Sequence, residues 1–419
     1  MPTSTASKSS RSLVAKYKNV VHHRHTHCRI CERKLPAPCI KLPAFPMTEI
    51  YVAAKPRQPL ALLDQAFSLC PHCGHGQLLN TIPAEVLYGD TYVTRTSGSS
   101  AKKAIDDFLA FVLPKLPARP LGGILEVGCN DLYTLNCLAD RAESLCGIDP
   151  IWKNRRPEKL NPKIRVIGEF FESVDLGQIG MTPEVVICSH TLEHIDDPVA
   201  LLTTLVAAAT SETQFFFQFP GLEPLVQDGR FDQLHHQHLN YFTLQSVIAA
   251  LERAGAELLA YDFNFYHWGA LMISFRKAPV GGARHHARFL AKRPRLTSAL
   301  VSQRYLTFKK ACLANDASLA ALLQNRPIYG FGAALMLPLL AYHLPHLAQL
   351  ACIIDDDPHK QGQYYINFPL KIVPLQSLGD LTDATVAVTA INSKQNIRAI
   401  TQKLIQLNVR DIFLPVTTL

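Results

Sequence analysis

The sequence lacks the features that would place it in a membrane or in an oxidising compartment. No stretch reaches about 18 uninterrupted apolar residues, the length that a transmembrane helix needs, although 48% of the 419 residues are apolar. The N-terminus is polar and basic and has no apolar core of a signal peptide. The 11 cysteines are an odd number, which favours reduced thiols over a disulfide framework. We therefore expect a cytoplasmic protein without a membrane span.

Charged residues are also few, and they are unevenly placed. They make up 18% of the chain, and the net charge is +8. Residues 1–34 contain eight Lys or Arg and one Glu, so the rest of the chain is close to neutral. We interpret residues 1–24 as a basic, disordered leader. Such a leader could contact phosphates, which leaves a zinc-ribbon nucleic-acid-binding protein as one alternative, but a nucleic-acid partner is not the expected one.

Two Cys-x-x-Cys pairs stand in the N-terminal part of the chain. "CRIC" supplies Cys28 and Cys31, and "CPHC" supplies Cys70 and Cys73. The two-residue spacing allows both thiolates of a pair to reach one tetrahedral ion at about 2.3 Å. Four thiolates predict a closed, structural Zn²⁺ site that stabilises a small lobe over residues 25–85. Two unrelated pairs of buried thiols are the alternative.

The stretch "GGILEVGCNDLYTLNCLADRAESLCGIDP" predicts a strand, a glycine turn, a helix and a second strand. Gly128 permits the tight turn after "ILEV". Asp149 ends the second strand about 20 residues later, where an acidic residue suits the hydroxyls of a ribose. The stretch therefore predicts an α/β, doubly wound sheet that binds an adenosine-bearing ligand.

Both NAD and S-adenosylmethionine fit this unit, and two features favour S-adenosylmethionine. The first strand ends in Glu126, and Asn130 stands where a dinucleotide fingerprint G-x-G-x-x-G would have its second glycine. A ligand without a pyrophosphate needs fewer glycines. We expect Phe170 to border the adenine. We also expect His190, at the carboxyl end of the strand "EVVICS", to lie on the cofactor side of the sheet.

A second nucleotide-type unit is visible near the C-terminus. "RPIYGFGAALMLPLLAYHL" predicts a strand, the turn Gly330-x-Gly332 and a helix, and "LACIIDDDPHKQG" predicts a strand that ends at Asp355. We predict a Rossmann-like domain over residues 326–419, preceded by a connecting helical segment over residues 283–325. Taken alone, this domain could be the NAD site of an oxidoreductase, although a lone G-x-G is weak evidence.

The stretch "FDQLHHQHLNYFT" places His235, His236 and His238 on one loop. Imidazoles titrate near neutral pH, and they serve as acids, bases and metal ligands. The residues alone leave three interpretations open for this loop: a metal site, an acid–base site, or a purely structural segment.

The order of these motifs resembles the three-domain, S-adenosylmethionine-dependent C-methyltransferases that act on nucleotide-linked deoxy-sugars. The resemblance rests on the two Cys-x-x-Cys pairs, "LEVGCND", "HTLEHIDDP", "HHQHLNYF", "YGFGAA" and "DDDPHKQG", and it extends from about Cys28 to the C-terminus. It implies an N-terminal zinc-binding lobe, a class I methyltransferase domain over residues 86–282 and a C-terminal Rossmann-like domain. It also implies a nucleotide-sugar as the small-molecule substrate.

In that family the histidine loop commonly reads Tyr-His-Glu-His, followed by an apolar pair and Tyr-Phe. The resemblance implies that His238 is the general base and that His236 matches the preceding histidine. His235 stands where Tyr is usual, and Gln237 stands where Glu is usual. Because Gln237 cannot take a proton, methylation of another sugar, or an O- or N-methylation, is an alternative.

The family also has a Tyr/Ser-rich stretch that closes over the active site. The corresponding stretch here is "LYGDTYVTRTSGSS", which contains Tyr88, Tyr92 and Ser97. Tyr92 is the candidate catalytic residue from it, and an ordinary linker is the alternative.

Overall fold

The computed structural model describes residues 23–48, 50–57, 62–87, 99–155, 159–279, 287–290, 295–391 and 394–416. Within them lie two seven-stranded sheets, one four-stranded sheet and one short strand pair. The predicted α/β architecture is therefore confirmed. In the described part of the chain, no helix is both long enough and apolar enough to cross a membrane.

The N-terminal segment forms a small antiparallel sheet beside the two cysteine pairs. Its elements are β1 (His23–Arg24), β2 (Ile40–Pro46), β3 (Tyr51–Val52), β4 (Leu62–Leu69), β5 (Gly76–Leu78), β6 (Asn80–Thr81) and α1 (Ala84–Leu87). The sheet order is β2, β4, β5, and a strand from the central domain, β12 (Asn240–Tyr241), pairs with the free edge of β5. Phe45, Phe67 and Leu78 are buried in a core that this sheet shares with the C-terminal part.

The central domain is built on a mixed seven-stranded sheet. Its strands are β7 (Leu121–Val127), β8 (Ala142–Ile148), β9 (Ile164–Ile167), β10 (Val185–Ser189), β11 (Gln214–Pro220), β13 (Ala256–Asn264) and β14 (Ala270–Lys277), and its helices are α2 (Ser99–Val112), α3 (Tyr133–Leu138), α4 (Pro198–Ala208), α5 (Leu222–Gln227) and α6 (Leu244–Arg253). The order is β9-β8-β7-β10-β11-β14-β13, in which β14 is antiparallel to both of its neighbours.

The parallel strands of this sheet explain where a site can form. The β7 and β10 strands are buried on both faces because helices cover them, as parallel sheets require. The β8 strand lies on one side of β7 and β10 on the other. A crevice opens where the strand order reverses in this way, outside the carboxyl ends of the strands. Gly128, Asp149 and His190 follow the strands that meet there.

The C-terminal part contains two connecting helices and a second sheet. Its helices are α7 (Ala287–Leu290), α8 (Ser298–Leu323), α9 (Leu337–His343) and α10 (Lys394–Gln406), and its strands are β15 (Ile328–Phe331), β16 (Ile353–Ile354), β17 (Tyr364–Tyr365), β18 (Phe368–Val373), β19 (Thr385–Val388) and β20 (Asp411–Phe413). The α8 helix buries one face, from Val301 to Leu319, at helical spacing. Polar residues and exposed Leu306 and Leu313 lie on its outer side.

Strands from one part of the chain pair into the sheet of another part. The second seven-stranded sheet runs β20-β19-β15-β16-β18-β17-β3, so its last strand comes from the N-terminal segment. In the same way, β12 of the central domain completes the N-terminal sheet. The predicted domain boundaries stay predictions, but sheet hydrogen bonds link the N-terminal segment to both of the other parts.

Candidate functional site

The four predicted zinc ligands lie together at two tight turns. The ligand atoms of Cys28, Cys31, Cys70 and Cys73 are all within 4.8 Å of one another. The Cys28 and Cys73 sulfurs are 3.5 Å apart, as are those of Cys31 and Cys70. Four thiolates at about 2.3 Å from one tetrahedral ion would be separated by about 3.8 Å, so this cluster fits Zn²⁺.

Backbone groups around the sulfurs also suit a thiolate site. The Cys28 sulfur accepts hydrogen bonds from the backbone of Ile30 and Cys31, and the Cys70 sulfur accepts them from that of His72 and Cys73. Such N–H donors offset the negative charge of a zinc–thiolate site, since groups that hydrogen-bond to ligands orient and stabilise them. The site has no position for a substrate.

The second cysteine turn leads directly into the strand that holds the histidine loop. Gly74 has a φ of 73°, which lets the chain reverse after Cys73 and begin β5 at Gly76. The β5 strand then pairs with β12, with Gly76 opposite Tyr241. The imidazole Nε2 of His75 is 3.1 Å from the Asn240 side-chain oxygen. The turn at Cys70–Cys73 and the histidine loop are therefore neighbours in space.

The glycine turn after β7 forms as predicted. Gly128 has a φ of 77°, and a Cβ there would lie 1.8 Å from the hydroxyl oxygen of Thr191. No other residue fits this position without movement. The Asp149 carboxylate accepts hydrogen bonds from the backbone N–H groups of Asn130, at 2.8 Å, and Ile151, at 3.0 Å. Asp149 thus ties the glycine turn to the end of β8.

Glu126 lies beneath this turn, and its carboxylate is almost fully buried. Its side chain is 2% exposed and accepts hydrogen bonds from the Thr134 hydroxyl and the backbone of Leu135. One carboxylate oxygen has no partner among the described residues. Burial disfavours the charged form and raises the pKa of Glu126 to about 8. An acid kept for local packing would normally use both oxygens, so the spare oxygen is available to a ligand.

Phe170 and His190 lie at the same edge of the sheet. Phe170 follows β9 and is half-buried. His190 follows β10 in a left-handed conformation, with a φ of 53°. Such a conformation is costly for a residue with a Cβ, and strain of this kind is concentrated at functional sites. The His190 ring packs on that of His267, with a centroid distance of 3.8 Å. His267 lies in the β13–β14 connection.

The histidine loop is buried along its whole length, from Phe231 to Thr243. The three imidazoles nevertheless differ in their surroundings. In His236, Nδ1 accepts from the Gln65 amide at 3.2 Å and Nε2 donates to the Phe45 carbonyl at 3.1 Å. Both of its ring nitrogens are therefore used in contacts with the N-terminal lobe.

His235 is held by Gln237 in one tautomer. The Gln237 amide nitrogen donates to the Thr48 carbonyl at 3.0 Å, and its oxygen accepts from the Thr48 hydroxyl at 3.2 Å. That oxygen is 3.0 Å from His235 Nδ1. Because the oxygen only accepts, Nδ1 carries the proton and Nε2 is bare. A carboxylate at position 237 could not donate to the Thr48 carbonyl.

His238 lies among other imidazoles and one carboxylate. Its ring centroid is 3.8 Å from that of His235 and 4.9 Å from that of His194. Its Nε2 is 3.9 Å from the Glu193 carboxylate, which also accepts from His190 Nδ1 at 3.1 Å. Burial, and next the neighbouring His235, holds the pKa of His238 well below its usual value of 6.5. A neutral imidazole of this kind is able to accept a proton.

Several members of this cluster could not be selected from the sequence. In the sequence, Glu193 and His194 beside His190 resemble metal ligands rather than partners of the histidine loop, and no pattern marks His267. Thr48 could not have been found, because its contact with Gln237 spans 189 residues of sequence. The predicted Tyr92, together with Tyr88 and Ser97, lies outside the described residues.

The C-terminal glycine turn is occupied by contacts within the protein. The Ala333 backbone N–H donates to the Asp355 carboxylate, and the Ala333 carbonyl accepts from Tyr51 at 3.1 Å and Lys360 at 3.1 Å. Tyr51 belongs to β3, so the N-terminal segment closes over this turn. The Ala333 N–H is a group that a phosphate-binding turn would present to its ligand, and here it is bonded to Asp355.

Comparison with known proteins identifies two regions. The family model described as "Methyltransferase domain" matches residues 98–261, and the one described as "Putative zinc binding domain" matches residues 28–88. The C-methyltransferase NovU of Streptomyces niveus is 22% identical over 213 residues, which cover 49% of this chain and 49% of that protein. The chain thus spans about half the length of this curated relative.

Solved structures show weaker similarity over less than half of the chain. A 1,6-didemethyltoxoflavin-N1-methyltransferase of Burkholderia thailandensis is 14% identical, with a TM-score of 0.34 over 44% of this chain and 80% of that one. The N-methyltransferase NodS of Bradyrhizobium japonicum is 12% or 11% identical in two structures; the one with S-adenosyl-L-homocysteine has a TM-score of 0.33 over 44% of this chain and 90% of that one.

Residues 98–261 are therefore a class I, S-adenosylmethionine-dependent methyltransferase domain. A zinc-binding domain with four clustered cysteines precedes it. The two predicted cofactors, S-adenosylmethionine and structural Zn²⁺, are confirmed.

Replacing one zinc ligand should loosen the histidine loop. We expect Cys70→Ser to lower the zinc content below one ion per chain and to increase hydrogen–deuterium exchange across residues 231–243, because β5 follows this turn and pairs with β12. Cys39→Ser is the matched control, since Cys39 lies in the same lobe and its sulfur donates to the Phe67 carbonyl. Retention of one zinc per chain in Cys70→Ser would contradict the assignment.

Glu126 should make the ligand-free protein less stable as pH rises. Its folded pKa of about 8 lies above the unfolded value of about 4.5, so stability is lost as pH rises from about 4.5 to about 8. Each pKa unit corresponds to about 1.4 kcal/mol. The melting temperature of Glu126→Gln relative to the unmodified protein should therefore increase from pH 5 to pH 8.

Glu184→Gln is the control for this measurement. The pKa of Glu184 is lowered, because Arg119 forms an ion pair with it. The melting temperature of Glu184→Gln relative to the unmodified protein should not increase from pH 5 to pH 8. A difference for Glu126→Gln that stays constant with pH would show that Glu126 is ionised throughout.

Proposed function

We propose that this chain transfers a methyl group from S-adenosylmethionine to a carbon next to the keto group of a nucleotide-linked deoxy-sugar. The position of His238 carries the proposal. His238 contacts the segment 190–194, and Thr191 of that segment packs against the glycine turn at Gly128. A base thus lies close to the cofactor side of the sheet. The motif order and the similarity to NovU support the acceptor class.

Several residues of the central domain fit the methyl donor. The spare oxygen of Glu126 and the Asp149 carboxylate offer hydrogen-bond acceptors on either side of the Gly128 turn. We assign Asn130, Phe170 and His190, which line the same edge, to this ligand. When bound, S-adenosylmethionine supplies an activated methyl group.

The chemistry required of the chain is the removal of one proton. A carbon beside a ketone becomes nucleophilic when it loses its proton, and an imidazole that is neutral at physiological pH suits this step. His238 takes the proton, and the electron pair of the C–H bond forms the enolate. The enolate carbon then bonds to the methyl group while the methyl–sulfur bond breaks. The imidazolium afterwards releases its proton to water.

Gln237 gives a reason to keep one alternative. It stands where the resemblance implies Glu, and both ends of its amide are bonded to Thr48. A hydroxyl or amine acceptor needs less help from a base than a carbon does, so O- or N-methylation is the second candidate. An NAD-dependent oxidoreductase and a nucleic-acid-binding protein remain the more distant alternatives.

Binding of the methyl donor should depend on Asp149. We expect calorimetric titration of the zinc-loaded protein to show binding of S-adenosylmethionine and none of NAD. Asp149→Ala should weaken that binding about tenfold or more, since a hydrogen bond to a charged group contributes about 1.5–3 kcal/mol. Asp197→Ala is the control, because Asp197 caps α4 in the same domain. Binding of NAD without binding of S-adenosylmethionine would overturn the proposal.

Loss of the base should slow turnover without loss of the cofactor. We expect His238→Gln to reduce methyl transfer about 10²–10⁴-fold and to leave affinity for S-adenosylmethionine nearly unchanged. The assay is mass spectrometry of nucleoside-diphosphate-linked 4-keto-6-deoxyhexoses, which should gain one methyl group. His346→Gln is the control, since it removes an imidazole bonded to Asp316. Full turnover in His238→Gln would exclude His238 as the base.

A further inference from the structure

Position 237 holds a glutamine where the resemblance implies a Glu beside the base, so it supplies no carboxylate. Its amide is held between Thr48 and His235 and fixes the tautomer of His235, while burial keeps that imidazole neutral. The acid that this loop does contain, Asp232, is ion-paired with Arg230, so a buried imidazolium formed at His238 would have no charge partner on its own loop. Burial of an unpaired charge is costly, so a partner has to come from another element.

Glu193 is the carboxylate that lies beside His238 and could act as this charge partner. It lies on the segment after β10, is 0% exposed, and places one oxygen 3.9 Å from His238 Nε2 and 3.1 Å from His190 Nδ1. Its second oxygen has no hydrogen-bond partner in the described part of the chain. Among the described residues, no Lys or Arg nitrogen lies within 4.0 Å of the Glu193 carboxylate, so it has no ion pair with either residue type. Its charge is therefore unbalanced until a histidine accepts a proton.

We propose that Glu193 is the positioning residue of His238 and stabilises the imidazolium that forms there, in place of an acid at position 237. The proposal rests on the proposed function, in which His238 accepts the proton of the acceptor. The same carboxylate orients His190 by accepting from its Nδ1. A single buried acid therefore serves two imidazoles on the cofactor side of the sheet.

The surroundings of Glu193 determine how the proton is shared. Burial raises its pKa to about 7, and the positive form of His194 opposes that shift. The titratable groups that face the cluster come from β10 and the segment after it, the histidine loop, β7 and the β13–β14 connection: Cys188, His190, His194, His235, His238, Tyr241, Glu126 and His267. Because Glu193 and the histidines are close, one proton is held by the group as a whole.

The same residues allow a metal site as the rival assignment. The ligand atoms of Glu193, His194 and His238 lie within 4.8 Å of one another, and a pair of histidines with one carboxylate is a common ligand set. Two observations favour proton binding. His190 Nδ1 already donates to the oxygen nearest His238. The separation of 3.9 Å between His238 and Glu193 also exceeds the about 3.4 Å expected of two ligands on a tetrahedral ion at about 2.1 Å.

The first experiment follows histidine ring protons by NMR, and it needs no acceptor. The full-length, zinc-loaded protein carries labelled histidine and bound S-adenosylhomocysteine, and spectra are recorded from pH 6 to pH 9. We expect His190 and His238 to report one shared titration that disappears in Glu193→Gln. His236 is the internal control, because both of its ring nitrogens are bonded and its signals should not follow that titration. An identical titration in both proteins would overturn the proposal.

The second experiment measures proton removal and methyl transfer separately. The probe is a nucleoside-diphosphate-linked 4-keto-6-deoxyhexose, and deuterium uptake from D₂O reports the action of the base. Glu193→Gln should lower uptake and kcat by about tenfold or more, but by no more than the about 10²–10⁴-fold that a base contributes. KM should change little, and Glu193→Asp should recover part of the loss. Asp316→Asn is the matched control, because it removes the carboxylate partner of another histidine. Unchanged uptake and kcat in Glu193→Gln would count against the proposal.

Two outcomes separate this proposal from its rivals. If the unmodified protein neither takes up deuterium nor transfers methyl groups to the probe, the proposed acceptor is wrong, and the NMR titration alone decides the role of Glu193. Metal analysis tests the rival site. A second metal ion per chain that is lost in His238→Gln and retained in Cys70→Ser would establish a metal on Glu193, His194 and His238, and would overturn the proposal.

Discussion

The structure depends on the burial of a polar loop. Residues 231–243 are all buried, although they include three histidines, two Gln residues and an Asn. Polar groups removed from water must find hydrogen-bond partners inside the protein. The N-terminal lobe supplies many of them, through Phe45, Thr48 and Gln65 and through the pairing of β5 with β12. The loop has a defined shape because the lobe packs against it.

The need to hold the lobe against the histidine loop explains the position of the zinc site. The lobe is a small segment whose core residues pack in one cluster with those of the C-terminal part, and small segments gain stability from a metal cross-link. The second cysteine pair ends three residues before Gly76, where β5 begins. A rigid turn at Cys70–Cys73 therefore fixes the strand that pairs with the histidine loop. The β3 strand extends the same lobe to the C-terminal sheet, where Tyr51 bonds to the Gly332–Ala334 turn.

Burial also determines the electrostatics of the site. It holds the pKa of His235 at about 3 and that of His190 at about 3, so these imidazoles stay neutral. It raises the pKa of Glu193 to about 7 for the same reason, since both shifts disfavour a buried charge. A site of neutral bases around one acid can accept a proton and offset its charge in the same step. That property suits the proton removal that we propose.

Some features of this protein could be determined from the sequence alone, because neighbouring residues decide them. The Cys-x-x-Cys spacing, the glycine turn at Gly128 and the acid at the end of β8 are of this kind, and each forms as predicted. The roles of the three histidines cannot be determined in this way. His235, His236 and His238 are identical side chains on one loop, and contacts with segments up to about 190 residues away distinguish them. Only the tertiary structure brings Glu193 to His238, because hydrogen bonds and burial act through space and leave no periodic pattern in the sequence.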